Sequence, residues 1–335
     1  MNTKVKWGVL STAKIGWEKV IPAMQKGQWC SVDAIASRKL ESAKNWAAKL
    51  GIPKAYGSYE DLLADPDIEA IYNPLPNDLH VQWTLAAARA GKHVLCEKPF
   101  AMNANEAAQL HEVAGKVHIM EAFMVRFHPQ WQRARELVRS GELGELRSVQ
   151  VFFSYNNQDS SNIRNRLENG GGALYDIGCY AIVAGRFLFE SEPLRVMSLV
   201  DRDAVYKTDR LASALLDFGH GRRLDFTVST QSTPYQRVQV VGSKKRLDIE
   251  IPFNAPQGEA TRIFIDDGKV LGGASAVMET LAPADQYTLQ GDAFSRAVRG
   301  AIPLPYGLDD ALCNMRVIDA LFASEYSGLW ENITR

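Results

Sequence analysis

Residues 8–16 read Gly-Val-Leu-Ser-Thr-Ala-Lys-Ile-Gly and close a short apolar run that begins at Lys4. A buried strand that turns through small residues into a helix opens a dinucleotide-binding unit, where the turn can hold a pyrophosphate against the helix N-terminus. Aligned on the pattern G-x-G-x-x-G, the three slots hold Ser11, Ala13 and Gly16. Only the last is glycine, yet serine and alanine are small enough for backbone to approach a phosphate. Ser11, Thr12, Ala13, Lys14 and Ile15 are therefore candidate cofactor contacts. The other reading is a tight strand-to-helix turn without a ligand.

Outward from this turn, short apolar strands alternate with helical segments from residue 5 to about residue 120. That alternation is the signature of a parallel sheet joined by crossover helices. Gly51, Gly91 and Gly115 stand where such helices should stop. From about residue 146 the strands lengthen and alternate with period two, as in a mostly antiparallel sheet. The fold class is thus α/β: an N-terminal Rossmann dinucleotide-binding domain over 1–122, then a C-terminal α+β domain over 123–335 with a large, mostly antiparallel open sheet. The C-terminal helix is expected to pack back on the first domain.

At 335 residues with 46% hydrophobic residues, the chain can fill two cores. Its 38 basic and 39 acidic residues leave a formal charge of -1, no field for a polyanion, so nucleic acid is not an expected partner. Cys30, Cys96, Cys179 and Cys313 show no paired spacing, which points to reduced thiols rather than a metal site or disulfides. The N-terminus lacks the pattern of a secretory signal, and no membrane span is expected. A soluble cytoplasmic protein is the expectation.

The second strand ends in Ser37-Arg38, with Arg38 22 residues after Gly16. An acidic residue there would bind the adenosine ribose of NAD. A hydroxyl beside a guanidinium fits the 2′-phosphate of NADP instead, so NADP(H) is preferred over NAD(H). After the third main strand, Asn73-Pro74-Leu75-Pro76-Asn77-Asp78-Leu79-His80 makes a stiff loop suited to lie under a nicotinamide ribose. Asn73, Pro74, Leu75, Asn77 and His80 join the candidate cofactor set, His80 being equally a capping or packing residue.

Two further stretches carry chemistry. Residues 93–100, His-Val-Leu-Cys-Glu-Lys-Pro-Phe, end a buried-looking strand on Lys98, where parallel sheets gather ligands. Taken alone, Lys98 could be a snorkelling surface cation. Residues 170–180, Gly-Gly-Gly-Ala-Leu-Tyr-Asp-Ile-Gly-Cys-Tyr, combine three glycines that admit close backbone approach to a ligand with Asp176 and Tyr180, four apart on one helix face. A tyrosine beside a lysine can move a hydroxyl proton while a hydride moves to or from a nicotinamide, because the ammonium favours phenolate. The structural alternatives are a helix N-cap for Asp176 and a core aromatic for Tyr180. Cys179 reads as packing.

The turn GVLSTAKIG, the run ending in KHVLCEKP, the segment MEAFMVRFHPQW and the stretch GGGALYDIGCY resemble the Gfo/Idh/MocA oxidoreductase family, closest to its glucose-fructose oxidoreductase, xylose dehydrogenase and dihydrodiol dehydrogenase branch. The resemblance implies that Lys98 contacts substrate and nicotinamide, that Asp176 binds substrate hydroxyls, and that Tyr180 donates or accepts the proton. Inositol dehydrogenase relatives carry histidine in place of Tyr180. Glu97, by the same carry-over, holds the loop around Lys98, whose bond to Pro99 is a candidate cis peptide. Arg126 could reach a substrate hydroxyl or carboxylate, or form a structural ion pair; Asn156, Asn157 and Arg164 are further specificity candidates. The expected activity is NADP(H)-dependent hydride transfer with a sugar or related polyol, of the aldose dehydrogenase type, with no metal. The alternatives are a trans-dihydrodiol dehydrogenase or ketosugar reductase, and a catalytically silent NADP-sensing regulator. A homo-oligomer, dimer or tetramer, is expected.

Overall fold

Val5–Leu10 forms β1, in which every side chain except that of Lys6 is buried, as expected of a strand covered on both faces. The computed structural model describes residues 3–334 and divides into two units: residues up to 124 together with 285–312, and 125–284 together with 313 onward. In the first unit β1 is joined by β2 (Cys30–Ala36), β3 (Lys54–Tyr56), β4 (Ala70–Asn73), β5 (His93–Cys96) and β6 (Ile119–Glu121). All pairs are parallel, in the order β3-β2-β1-β4-β5-β6. This is the Rossmann order, whose reversal between β1 and β4 opens a crevice at the strands' carboxyl ends. The crossovers carry α1 (Ile21–Lys26), α2 (Leu40–Leu50), α3 (Tyr59–Ala64), α4 (His80–Arg89) and α5 (Ala104–Ala108). β3, Lys-Ala-Tyr at the edge of the sheet and only half-buried, has no apolar run and is not expected from the sequence.

The first unit also takes in residues 285–312, so a cut at 122/123 does not describe it completely. The reason is packing around α8 (Gln286–Val298). Phe294 sets its ring 5.3 Å from that of Trp7, whose indole N–H donates to Ser295 Oγ at 3.0 Å. Asp292 accepts from the backbone N–H groups of Gln28 at 2.9 Å and Trp29 at 2.8 Å, at the entry to β2. A Cβ on Gly27 would stand 2.5 Å from the same carboxylate, so the turn needs its glycine.

In the second unit β7 (Leu146–Asn156), β8 (Arg195–Arg202), β9 (Asp209–Asp217), β10 (Arg223–Ser229), β11 (Gln231–Gly242), β12 (Arg246–Ile249), β13 (Thr261–Asp266), β14 (Val277–Leu281) and β15 (Glu331–Asn332) form one open sheet. Its order is β14-β13-β12-β11-β7-β10-β9-β8-β15, antiparallel except for β7 with β10. The helices are α6 (Pro129–Arg139), α7 (Cys179–Phe189) and the greater part of α9 (Leu308–Ser327). α6 was not expected from the sequence; His128 caps it by accepting the Gln130 N–H, and Pro129 supplies a preset first residue. Every residue of α7 is buried, and the 18-residue apolar window within Leu167–Phe189, long enough by composition to cross a membrane, is 89% buried inside the protein. The period-two pattern puts Val149, Val151, Phe153, Phe226, Val238 and Val240 in the core. The opposite face leaves Phe152, Tyr235, Met197 and Leu199 exposed.

Asp292→Ala would strip the acceptor from two backbone N–H groups. A destabilisation of about 1–3 kcal/mol in chemical denaturation is expected. An unchanged midpoint would show that α8 does not secure the first unit.

Candidate active site

At the end of β1, Ser11 takes a φ of 74°, the left-handed conformation that normally selects glycine. The strained turn survives without its glycine because Ser11 Oγ accepts the N–H of Ala13 at 3.2 Å, and Thr12 Oγ1 lies 3.2 Å from Ser42 Oγ. A helix then begins with a π turn, Gly16–Val20, and continues as α1. Gly16 is buried, and a Cβ there would come into ordinary contact with Ile21, Pro74 and Tyr72 at 3.9 Å, so the surrounding side chains lie close to this turn without forcing glycine on it. Lys14 points outward to Glu18 at 3.7 Å, while Ile15 is half-buried.

At the end of β2, the Ser37 N–H donates to Tyr56 O at 3.1 Å and its hydroxyl accepts the Lys39 N–H at 3.3 Å. Arg38 is exposed and has no hydrogen bond or ion pair among the described residues. The small-residue turn before the helix and this guanidinium at the end of the next strand together fit a dinucleotide.

The loop after β4 is held from beneath. Asn73 is fully buried; its amide donates to His80 O at 3.1 Å and Thr84 Oγ1 at 3.2 Å, and its carbonyl accepts the Leu75 N–H at 3.3 Å. His80 is buried with Nδ1 2.8 Å from Pro99 O and Nε2 2.7 Å from Leu75 O. Burial pushes its pKa down to about 4, so the ring is neutral at physiological pH. It spans the loops that follow β4 and β5. Asn73 and His80 therefore spend their side chains inside the fold, and Pro74 and Leu75 are buried with them; Asn77 starts a short 3-10 turn. After β5, Glu97 accepts from Tyr72 Oη at 2.7 Å and from the Lys98 N–H at 3.3 Å, and the Lys98–Pro99 peptide is cis. Lys98 is half-buried.

In the second unit the helix that carries Asp176 and Tyr180 also opens with a π turn, Leu174–Gly178, before α7. Asp176 lies inside that turn and is not its N-cap. The capping acceptor comes from β9: Asp209 Oδ2 takes the Leu174 N–H at 2.6 Å. Burial lifts the Asp209 carboxyl from its ordinary value of 3.8 to about 7. Asp176 Oδ2 accepts the Tyr155 hydroxyl at 2.6 Å and pairs with Arg164 Nε at 3.0 Å. Burial, then the Asp176 charge, pushes the Tyr155 phenol well above its usual range. Tyr180 is buried at the edge of an aromatic cluster, 6.1 Å from Phe153 and 5.5 Å from Phe253 between ring centroids.

Comparison with known proteins decides the class. Residues 5–126 match the model described as "Oxidoreductase family, NAD-binding Rossmann fold", and residues 131–248 match the GFO/IDH/MocA C-terminal domain. The chain belongs to the Gfo/Idh/MocA oxidoreductase family. It is 45% identical to "Uncharacterized oxidoreductase ORF334" of Rhizobium meliloti, over 98% of this chain and 99% of that one. It is 41% identical to "D-xylose 1-dehydrogenase (NADP(+)) 2" of Haloferax volcanii, over 96% and 98%. Among solved structures, the 3-ketoreductase KijD10 of Actinomadura kijaniata, in complex with NADP and TDP-benzene, superposes with a TM-score of 0.89 at 29% identity, covering 96% and 98%.

Within this Gfo/Idh/MocA chain, the glycine-rich stretch has a structural role. The glycines approach the protein's own chain: a Cβ on Gly171 would stand 2.5 Å from Arg164 O, and one on Gly172, where φ is 119°, would overlap the Asp209 carboxylate. Their N–H groups donate to Arg166 O at 2.9 Å and Arg164 O at 3.0 Å. Tyr155 and Asp209 were missed. Tyr155 carried a signal, since it continues the inward alternation of Val149, Val151 and Phe153; Asp209 carried none. Arg126 is buried, in the short turn Met124–Phe127.

The raised Asp209 pKa has a definite sign. Folding favours the protonated carboxyl, so its contribution is complete below the unfolded value near pH 4 and is lost as pH rises through about 7. Asp209→Asn should keep the cap and flatten the fall in thermal stability between about pH 4 and pH 7. Parallel pH–melting curves for the two proteins would count against a neutral Asp209.

Proposed function

We propose that the protein is an NADP(H)-dependent dehydrogenase or reductase of sugars, acting in the oxidative direction as an aldose dehydrogenase. The observation that carries the cofactor choice is Arg38, an exposed guanidinium with no partner among the described residues, beside the Ser37 hydroxyl at the end of β2. An NAD-selective site places an acid there; this one offers the chemistry of a 2′-phosphate. The sugar assignment is supported by the name of the Haloferax relative, and NADP by that name and by the Actinomadura neighbour.

Ser11, Thr12, Ala13, Lys14 and Ile15 would hold the pyrophosphate, Ser37 and Arg38 the adenosine ribose end, and the loops of Pro74, Leu75, Asn77 and Glu97 the nicotinamide end, with Asn73 and His80 shaping them from within. When bound, the nicotinamide accepts or returns the hydride. The protein's part is the proton: Tyr180 Oη takes it from a sugar hydroxyl as the carbonyl forms, and Lys98 supplies the ammonium that favours the phenolate. Asp176 accepts hydrogen bonds from substrate hydroxyls, and Arg126 is a further substrate contact. An aldose oxidised at C1 would leave as the lactone. A keto sugar reduced by the reverse steps is the second reading, favoured by 32% identity to the "dTDP-3,4-didehydro-2,6-dideoxy-alpha-D-glucose 3-reductase" of Actinomadura kijaniata. We also propose that copies pair through the exposed sheet face around Phe152 and Tyr235.

The defining assay follows nicotinamide absorbance with NADP⁺ or NADPH across aldoses, keto sugars and dihydrodiols. Turnover of none would refute the proposal. Tyr180→Phe and Lys98→Ala should each lower kcat by about 10²–10⁴-fold while NADP⁺ still binds, and full activity in either would remove that residue from the mechanism. Arg38→Ala should raise KM for NADP⁺ roughly 10–100-fold and leave NAD⁺ nearly unaffected. Equal losses with both cofactors would contradict 2′-phosphate recognition.

A further inference from the structure

We propose that Arg164 is a specificity-determining residue that, together with Asp176, reads two neighbouring hydroxyls of the substrate. The inference rests on the sugar reading above and assigns a role to a residue outside the proton-transfer pair.

The position of Arg164 is built with care. It sits in a single 3-10 turn, Ile163–Asn165, whose start is capped by Asn162 Oδ1 accepting the Arg164 N–H at 3.0 Å. The neighbouring Asn165 is buried and donates to Asn157 O at 3.2 Å and Asp159 O at 2.9 Å, anchoring the turn. Arg164 O accepts the Gly172 N–H, and the absence of a Cβ on Gly171 lets that carbonyl lie against the glycine. A loop arginine is thereby fixed at its backbone on two sides. Its side chain is fixed by the Asp176 carboxylate, to which Tyr155 also donates. Asp176, to which the guanidinium is bonded, stands four residues before Tyr180 along the same helical segment.

Despite these constraints the side chain keeps 45% of its surface exposed, whereas that of Asp176 keeps 13%. Beyond Asp176 the guanidinium has no other hydrogen-bond or ion-pair partner among the described residues. A guanidinium carries five N–H donors, so Arg164 keeps donors beyond the one at Nε that meets Asp176. The pair presents donors beside acceptors. A lone hydroxyl engages one member, while two adjacent hydroxyls can donate to the carboxylate and accept from the guanidinium at once. An anionic group gains little, because the Arg164 charge is already balanced by Asp176 and a second carboxylate would be repelled by it. The ligand class is therefore a neutral vicinal diol, next to the carbon whose hydroxyl meets Tyr180.

The test compares wild type, Arg164→Ala and Arg164→Lys on the best aldose of the panel, its 2-deoxy and 3-deoxy analogues, and the matching uronic acid, with NADP⁺ affinity and thermal melting as measures of intact folding. For the parent sugar, Arg164→Ala should raise KM roughly 10–100-fold with kcat within about threefold, and Arg164→Lys should fall between. For at least one deoxy analogue the same substitution should change KM by less than about threefold, because the hydroxyl it reads is missing. A merely structural arginine would damage all substrates alike, and that outcome, or a wild-type preference for the uronic acid, would overturn the inference. Should Arg164→Ala fold poorly, the wild-type loss on the deoxy analogues set against Arg164→Lys closes the same cycle. Wild-type turnover of no sugar would instead fail the reading on which the inference rests.

Discussion

The close approach of Gly171 and Gly172 to the chain around them is the constraint on which the second unit's chemistry depends. Without a Cβ at either position, the loop carrying Arg164 and the β9 carboxylate of Asp209 can both reach the start of the helix. Asp209 satisfies the Leu174 N–H, which a helix start buried away from water cannot leave unpaired. The helix can then begin in the core, and Asp176 emerges within its first turn already bonded to Tyr155 and Arg164. Any side chain at 172 would have to displace a buried carboxylate. The glycines thus determine where Asp176, Tyr155 and Arg164 stand.

A comparable economy governs the first unit. The loops that follow β4 and β5 are short, and loops so placed have backbone groups that must be satisfied internally. Asn73 bonds three groups around the β4 loop, His80 ties Leu75 O to Pro99 O, and Glu97 ties Tyr72 to the Lys98 N–H. Polar residues that look chemically useful in the sequence are here committed to shape. A buried neutral imidazole is well suited to this, since it neither carries a charge into the interior nor leaves it by titrating near neutrality.

This commitment explains which parts of the molecule were legible in the sequence. The Rossmann half was, because a parallel sheet writes itself as apolar runs separated by helix periods, and the crevice follows from strand order. The Asp176 and Tyr180 positions were legible as residue types, and the period-two strands of the larger sheet were visible from Val149 to Phe153. What escaped has one physical cause: contacts between residues distant in the chain. Ser295 bonding Trp7, and Asp209 capping a helix 35 positions earlier, leave no local periodicity to read. The glycine run was read as room for a ligand, because a sequence shows that space is needed and not what fills it.

The helix that follows the turn of residues 11–15 and the helix that carries Asp176 and Tyr180 share a departure from regular geometry. Gly16–Val20 and Leu174–Gly178 are both π turns, and both sit at the start of their helices. A π turn makes poorer internal contacts than an α turn, and such turns concentrate at functional sites. In each case the neighbouring chain supplies what the irregular turn lacks. At the first, the Ala13 carbonyl accepts from both Gly16 and Trp17, and Ser11 in its left-handed conformation is bonded to Ala13. At the second, Asp209 and the glycine pair do the same work from outside the helix. The irregular turns therefore rest on two different supports: at the first on residues immediately before the helix, at the second on a carboxylate from a strand far along the chain.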